Sequence, residues 1–158
     1  SVACIAGNLV IEGNVTGGSG SNAHGLSYSG LSSVRIVGNV TAGSGGQGVR
    51  NGSVTGASLT VIGNVSGAGA TGVHGINCIS TTLIYSTVVV YGTVTGGSHA
   101  SSNGIKNEGA ALCWIFGREV AGTGAAVSNT GSGSVTTVAV GGGGGGVFPV
   151  IGPGVLVA

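Results

Sequence analysis

The chain has 158 residues, of which 37 are Gly and 41% are hydrophobic, with four Lys or Arg, three Asp or Glu and a formal net charge of +1. That length suits one domain, and the near-neutral balance leaves no electrostatic footprint for DNA or RNA. Low charge with ample Val, Ile and Leu argues against disorder, and no apolar run reaches the roughly 18 residues of a membrane-spanning helix.

No signal-peptide pattern opens the chain. It contains no Met, so it reads as a processed product or a piece of a longer chain. The three cysteines, Cys4, Cys78 and Cys113, are odd in number and have no Cys-x-x-Cys spacing. They suit neither a disulfide framework nor a zinc site. Buried free thiols are expected at Cys78 and Cys113.

From the N-terminus, one phrase recurs. "LVIEGNVTGGSG" starts at Leu9, "VRIVGNVTAGSG" at Val34, "LTVIGNVSGAGA" at Leu59 and "VVVYGTVTGGSH" at Val88. Its glycine falls at Gly13, Gly38, Gly63, Gly92 and Gly117, with steps of 25, 25, 29 and 25. One more step of 25 predicts Gly142, with Val138 and Val140 before it in the places of Cys113 and Ile115. Two residues before each Gly stand Ile11, Ile36, Val61, Val90 and Ile115. Two residues after it stand Val15, Val40, Val65 and Val94; Glu119 breaks this row and reads as a slip of register in the fifth unit.

Period-two alternation with β-branched residues is strand chemistry. A second apolar mark holds Leu26, Val49, Ile76, Ile105 and Val127, and a weaker third holds Leu31, Val54, Leu83, Leu112 and Val135. Three short strands per 25 residues predict an all-β parallel β-helix (β-solenoid) of about five coils. A β-sandwich is the structural competitor, but it does not require a fixed phase in sequence. The solenoid domain is expected over residues 1–140. Residues 141–158, a Gly-rich linker and an apolar segment, would lead to a further domain or cover the solenoid.

Catalysis is not expected. There is no Asp, and Glu12, Glu108 and Glu119 hold different repeat positions, which denies the paired carboxylates of glycoside hydrolysis. No Gly-x-Ser-x-Gly elbow opens a helix, and the hexaglycine at Gly141 lacks the Lys-Ser/Thr of a phosphate loop. His24 and His74 precede equivalent glycines two coils apart, roughly 10 Å by strand spacing, too far to share a metal. They are expected to be solvated corner residues, as is His99. No cofactor is expected. Asn14, Asn39 and Asn64 share one repeat position and predict a ladder of stacked amides. With Asn51 they also match the glycosylation pattern; three of the four, Asn14, Asn39 and Asn64, are copies of the repeat phrase, so repetition explains them.

The outward pairs of the first strand read Val10/Glu12, Arg35/Val37, Thr60/Ile62, Val89/Tyr91 and Trp114/Phe116, growing more apolar toward the C-terminus. Such a patch does not belong in water. Val89, Tyr91, Trp114 and Phe116 are therefore the candidate partner interface, with a homo-oligomer, a trimer above others, as the expected partner. A terminal segment folded over the stripe is the structural alternative, and sugar stacking on Tyr91, Trp114 and Phe116 the other functional one. Ice binding would want two parallel Thr rows, but only Thr16, Thr41, Ser66 and Thr95 form one.

The phrase "GNVTGGSGSNAHGL", Gly13 to Leu26, with its echoes at Gly38, Gly63 and Gly92, resembles the Gly/Asn/Thr-rich repeats of tailed-phage virion proteins. These are tail fibres, spikes and related structural proteins. The resemblance covers Leu9 to Val140. It implies a durable, non-enzymatic β-helical shaft on an extracellular particle, often trimeric, with other virion proteins as partners and in some cases a host-surface glycan. Neither nucleic acid nor membrane is implied. Bacterial cell-surface adhesins use similar solenoids. The repeats contain no family site motif, so no functional residue is carried over.

Overall fold

Val, Ile and Leu at alternate positions give each short segment one apolar edge, and no single segment can bury it alone. A computed structural model describes residues 2–4, 6–30, 32–52, 56–79, 86–121 and 123–138, and in it these segments stack as a parallel β-solenoid. One face is a six-stranded sheet: β1 (Val2–Cys4), β4 (Leu26–Tyr28), β7 (Val49–Asn51), β10 (Ile76–Cys78), β12 (Ile105–Asn107) and β14 (Val127–Asn129). The second begins with β2 (Gly7–Glu12), β5 (Ser32–Val37) and β8 (Ser58–Ile62), each followed past its glycine by the two-residue strands β3 (Val15–Thr16), β6 (Val40–Thr41) and β9 (Val65–Ser66). Both halves then merge into β11 (Thr87–Thr95) and β13 (Leu112–Val120), and β15 (Ser134–Val138), the last described strand, pairs with β13. Every strand pairing is parallel.

The repeat positions are the interior rows. Ile36, Val61, Val90 and Ile115 stand in register and are fully buried. So are Val34, Leu59, Val88 and Cys113, with Val135 above them. Leu26, Val49, Ile76 and Ile105 line the opposite sheet. Leu9 and Ile11 begin their rows only partly buried, because among the described residues β2 is paired on one side alone. Each large aliphatic side chain taken from water contributes roughly 1.5–3 kcal/mol, so the rows supply the core that one coil lacks.

The recurrent glycine has two physical causes. Gly38, Gly63 and Gly92 adopt φ of 149°, 149° and 153°, a region that L-residues rarely enter. Each also stacks so tightly that an added Cβ would overlap the carbonyl oxygen of the glycine below. At the next residue the N–H turns toward the coil below, and a side chain meets it there. The N–H groups of Asn39, Asn64 and Thr93 donate to the Oδ1 atoms of Asn14, Asn39 and Asn64 at 2.9, 2.9 and 2.8 Å. The asparagine ladder thus runs from side chain to backbone, not from amide to amide.

Four expectations need correction. Glu119 causes no slip: it pairs with Val94, and Val120 with Thr95, so a carboxyl occupies the interior row of Val40, Val65 and Val94. The last turn is shorter than the repeat. Cys113 pairs with Val135, a step of 22 (135 − 113), which sets Thr137 beside Ile115 and Val138 beside Phe116. The shortening lies in the corner, since Ile105 to Val127 is also 22 (127 − 105). The third apolar mark is not one row: Leu112 opens β13, Val135 joins the row of Cys113, and Leu31, Val54 and Leu83 lie outside the described residues. His74 is buried at 3% exposure, not solvated, because its ring is enclosed in the coil stack. His24 is half-buried, whereas His99 is exposed and bonds Thr71. The expected positions of Val140 and Gly142, and the expected segment 141–158, lie outside the described residues.

Candidate docking face on the second sheet

Alternation fixes which side chains leave the core. With Val88, Val90, Cys113 and Ile115 inside, Val89, Tyr91, Trp114 and Phe116 must point out. Parallel register then brings the four candidates together, Val89 beside Trp114 and Tyr91 beside Phe116. Coil stacking sets the rings one strand apart. The Tyr91 and Phe116 centroids lie 4.9 Å apart at an interplanar angle of 12°, close to the ~4.8 Å strand spacing. Tyr91 remains 49% and Trp114 41% exposed, while Val89 and Phe116 are half-buried.

Register extends the patch beyond these four residues. Val37, Ile62, Tyr91, Phe116 and Val138 form one continuous outward row. Ile62 is 39% exposed. Val37 and Ile62 were visible as outward residues in the sequence. Val138 was not, because its place depends on the shortened last turn. The neighbouring row runs Val10, Arg35, Thr60, Val89, Trp114 and Thr136. The charged end is wet, with Glu12 and Arg35 exposed, although Val10 there is 62% exposed as well. Chemically the face offers apolar area, stacked rings, the Trp114 indole N–H and the Tyr91 hydroxyl. It offers no acid–base pair.

Elsewhere the polar groups are structural. The Cys78 and Cys113 sulfurs meet at 3.9 Å in the core, and all three cysteines are buried and free. The hydrogen bond with Cys78, together with burial, pushes the Cys113 thiol well above its ordinary pKa. Asn51 is fully buried, out of reach of glycosylation, and donates to Ser86 Oγ at 2.6 Å. Burial likewise raises the Tyr28 phenol, whose hydroxyl has no partner among the described residues. Among the described residues no group of three or more His, Cys, Asp or Glu is placed to hold a metal ion, and no helix is long and apolar enough to cross a membrane. A shallow trough along one corner, between Thr16–Ser19, Ala42–Ser44 and Ala68–Gly69, is lined by small side chains without charge. The row Thr16, Thr41, Ser66 and Thr95 is in register and ends at Val120.

Compared with protein-family models, curated proteins and solved structures, the chain finds no match.

Proposed function

We propose that this chain is a non-enzymatic structural or adhesion segment of a virion, a tail fibre, spike or surface appendage, acting as a rigid β-helical shaft in an oligomer. The observation that carries the reading is the apolar stripe: Val89, Tyr91, Trp114 and Phe116 stand together on the outer face of strands whose inward positions are already filled by Val88, Val90, Cys113 and Ile115. Four clustered apolar side chains in water favour association, because each large one contributes roughly 1.5–3 kcal/mol when covered. A homotrimer packing these stripes about an axis is the first choice of assembly, and docking on another virion chain is the second.

Trp114→Ser in the full-length protein tests this by sedimentation and far-ultraviolet circular dichroism. Weakened assembly with retained strand signal supports the reading. A full-length wild type that is monomeric, with its Trp114 fluorescence open to quenchers, overturns it. The stacked rings of Tyr91 and Phe116 beside Trp114 favour a second reading, a carbohydrate-binding solenoid or bacterial cell-surface adhesin. Tyr91 and Trp114 are the exposed rings of the stripe, and Trp114 is not part of the stacked pair, so its indole is the ring left for a sugar. Glycan-array binding that Trp114→Ser abolishes without changing the oligomeric state selects it.

A further inference from the structure

A second ladder climbs the corner before the six-stranded sheet. His24, Gln47, His74 and Asn103 hold one repeat position, each just before the glycine that leads into β4, β7, β10 or β12. Each side chain accepts a backbone N–H from the coil above. Gln47 N–H donates to His24 Nδ1 at 3.0 Å, and His74 N–H to Gln47 Oε1. Asn103 N–H donates to His74 Nδ1 at 3.0 Å, and Ala125 N–H to Asn103 Oδ1 at 2.9 Å.

The four rungs look alike in geometry but differ in chemistry. An amide oxygen accepts at any pH. An imidazole nitrogen accepts only while it carries no proton. Both rings are therefore held neutral, with the proton on Nε2. A second proton would set N–H against N–H at the rung above. Titratable and non-titratable acceptors alternate up the corner, so one stack holds both the device and its control.

We propose that His24 and His74 are acid-sensitive latches: protonation of the two rings breaks two of the ladder's four side-chain hydrogen bonds and loosens the coils there, while Gln47 and Asn103 hold and the backbone bonds from Gly25, Gly48, Gly75 and Gly104 keep the coils paired. The surroundings favour the neutral rings. Burial lowers the pKa of His24 from 6.5, and Arg50 on the next coil lowers it further. Burial and Lys106 lower that of His74, against an opposing effect of Glu108. Glu108 is itself paired with Lys106 at 2.9 Å. A depressed folded pKa means that the latch is fully closed above the unfolded value near 6.5 and opens as pH falls through the folded value. The stiffness of the solenoid is then pH-dependent, whatever the stripe binds.

Amide hydrogen exchange between pH 7.5 and 4.5, corrected for intrinsic exchange, tests the latch in the wild type and in His24→Gln/His74→Asn, which installs the acceptors of the neighbouring coils. In the wild type, protection of the Gln47 and Asn103 amides is expected to fall about tenfold per pH unit below the folded pKa, while the His74 and Ala125 amides keep theirs. In the double variant all four stay flat. Equal loss at all four wild-type amides overturns the proposal, as does a ring that titrates at or above pH 6.5. Those wild-type comparisons decide the question even if the double variant fails to fold.

Discussion

Gly63→Ala separates backbone conformation from coil stacking when it is set beside Gly13→Ala. Both glycines have left-handed φ, +149° at Gly63 and +135° at Gly13. An alanine forced into such a conformation costs on the order of 1–3 kcal/mol. The Gly13 site adds nothing to that, since no atom lies within 4 Å of the place the new methyl would take. The Gly63 site adds a collision with backbone: the Gly38 carbonyl oxygen, its carbon at 2.6 Å and the Asn39 nitrogen at 3.2 Å. Relief requires the two coils to part. That weakens the Gly38 N–H to Ile62 carbonyl bond of 3.0 Å and the Asn64 N–H to Asn39 Oδ1 bond of 2.9 Å. At about 1 kcal/mol for each bond, Gly63→Ala should cost about 3–5 kcal/mol and Gly13→Ala about 1–3. Urea unfolding gives the totals. Hydrogen exchange localises them, because stacked repeats need not unfold in one step. If Gly63→Ala destabilises no more than Gly13→Ala, stacking is not what holds glycine in this row.

Three further outcomes are expected. Tyr28→Phe removes a fully buried hydroxyl that has no partner among the described residues, so thermal unfolding should show a gain of about 1 kcal/mol; a loss of that size would mean that the hydroxyl is bonded. Glu119→Val restores the residue type of the row that holds Val94. Burial raises the Glu119 pKa above 4.5, so the wild type is most stable below the unfolded value and loses that advantage as pH rises through the folded one. The gain from Glu119→Val should therefore be larger at pH 7 than at pH 4, and an equal gain in urea unfolding at both counts against a buried carboxyl. Native-state thiol labelling should be slow at Cys78 and Cys113, both at 0% exposure, and first at Cys4, at 8% on the outermost described strand of its sheet; Cys78 reacting as fast as Cys4 would contradict the closed core.

The amino-acid sequence by itself determined the solenoid and its inward rows. A coil is stable only on a like coil, so Ile36, Val61, Val90 and Ile115 had to recur in phase, and alternation turned Val89, Tyr91, Trp114 and Phe116 outward together. Tertiary structure alone decided what happens at the corners. The 22-residue step stood in the sequence between Ile105 and Val127, but a fixed 25-residue phase put Val138 in the place of Cys113, and its true place beside Phe116 emerged only from the pairing of β13 with β15. Glu119 broke the apolar pattern in sequence, yet eight flanking backbone pairings between β11 and β13 hold it in the interior row despite its charge. The corner acceptors could not be read from composition either. His, Gln and Asn are all strongly polar, as are many corner residues that do not share this role, and what makes them equivalent is that each coil above offers its backbone N–H at the same point.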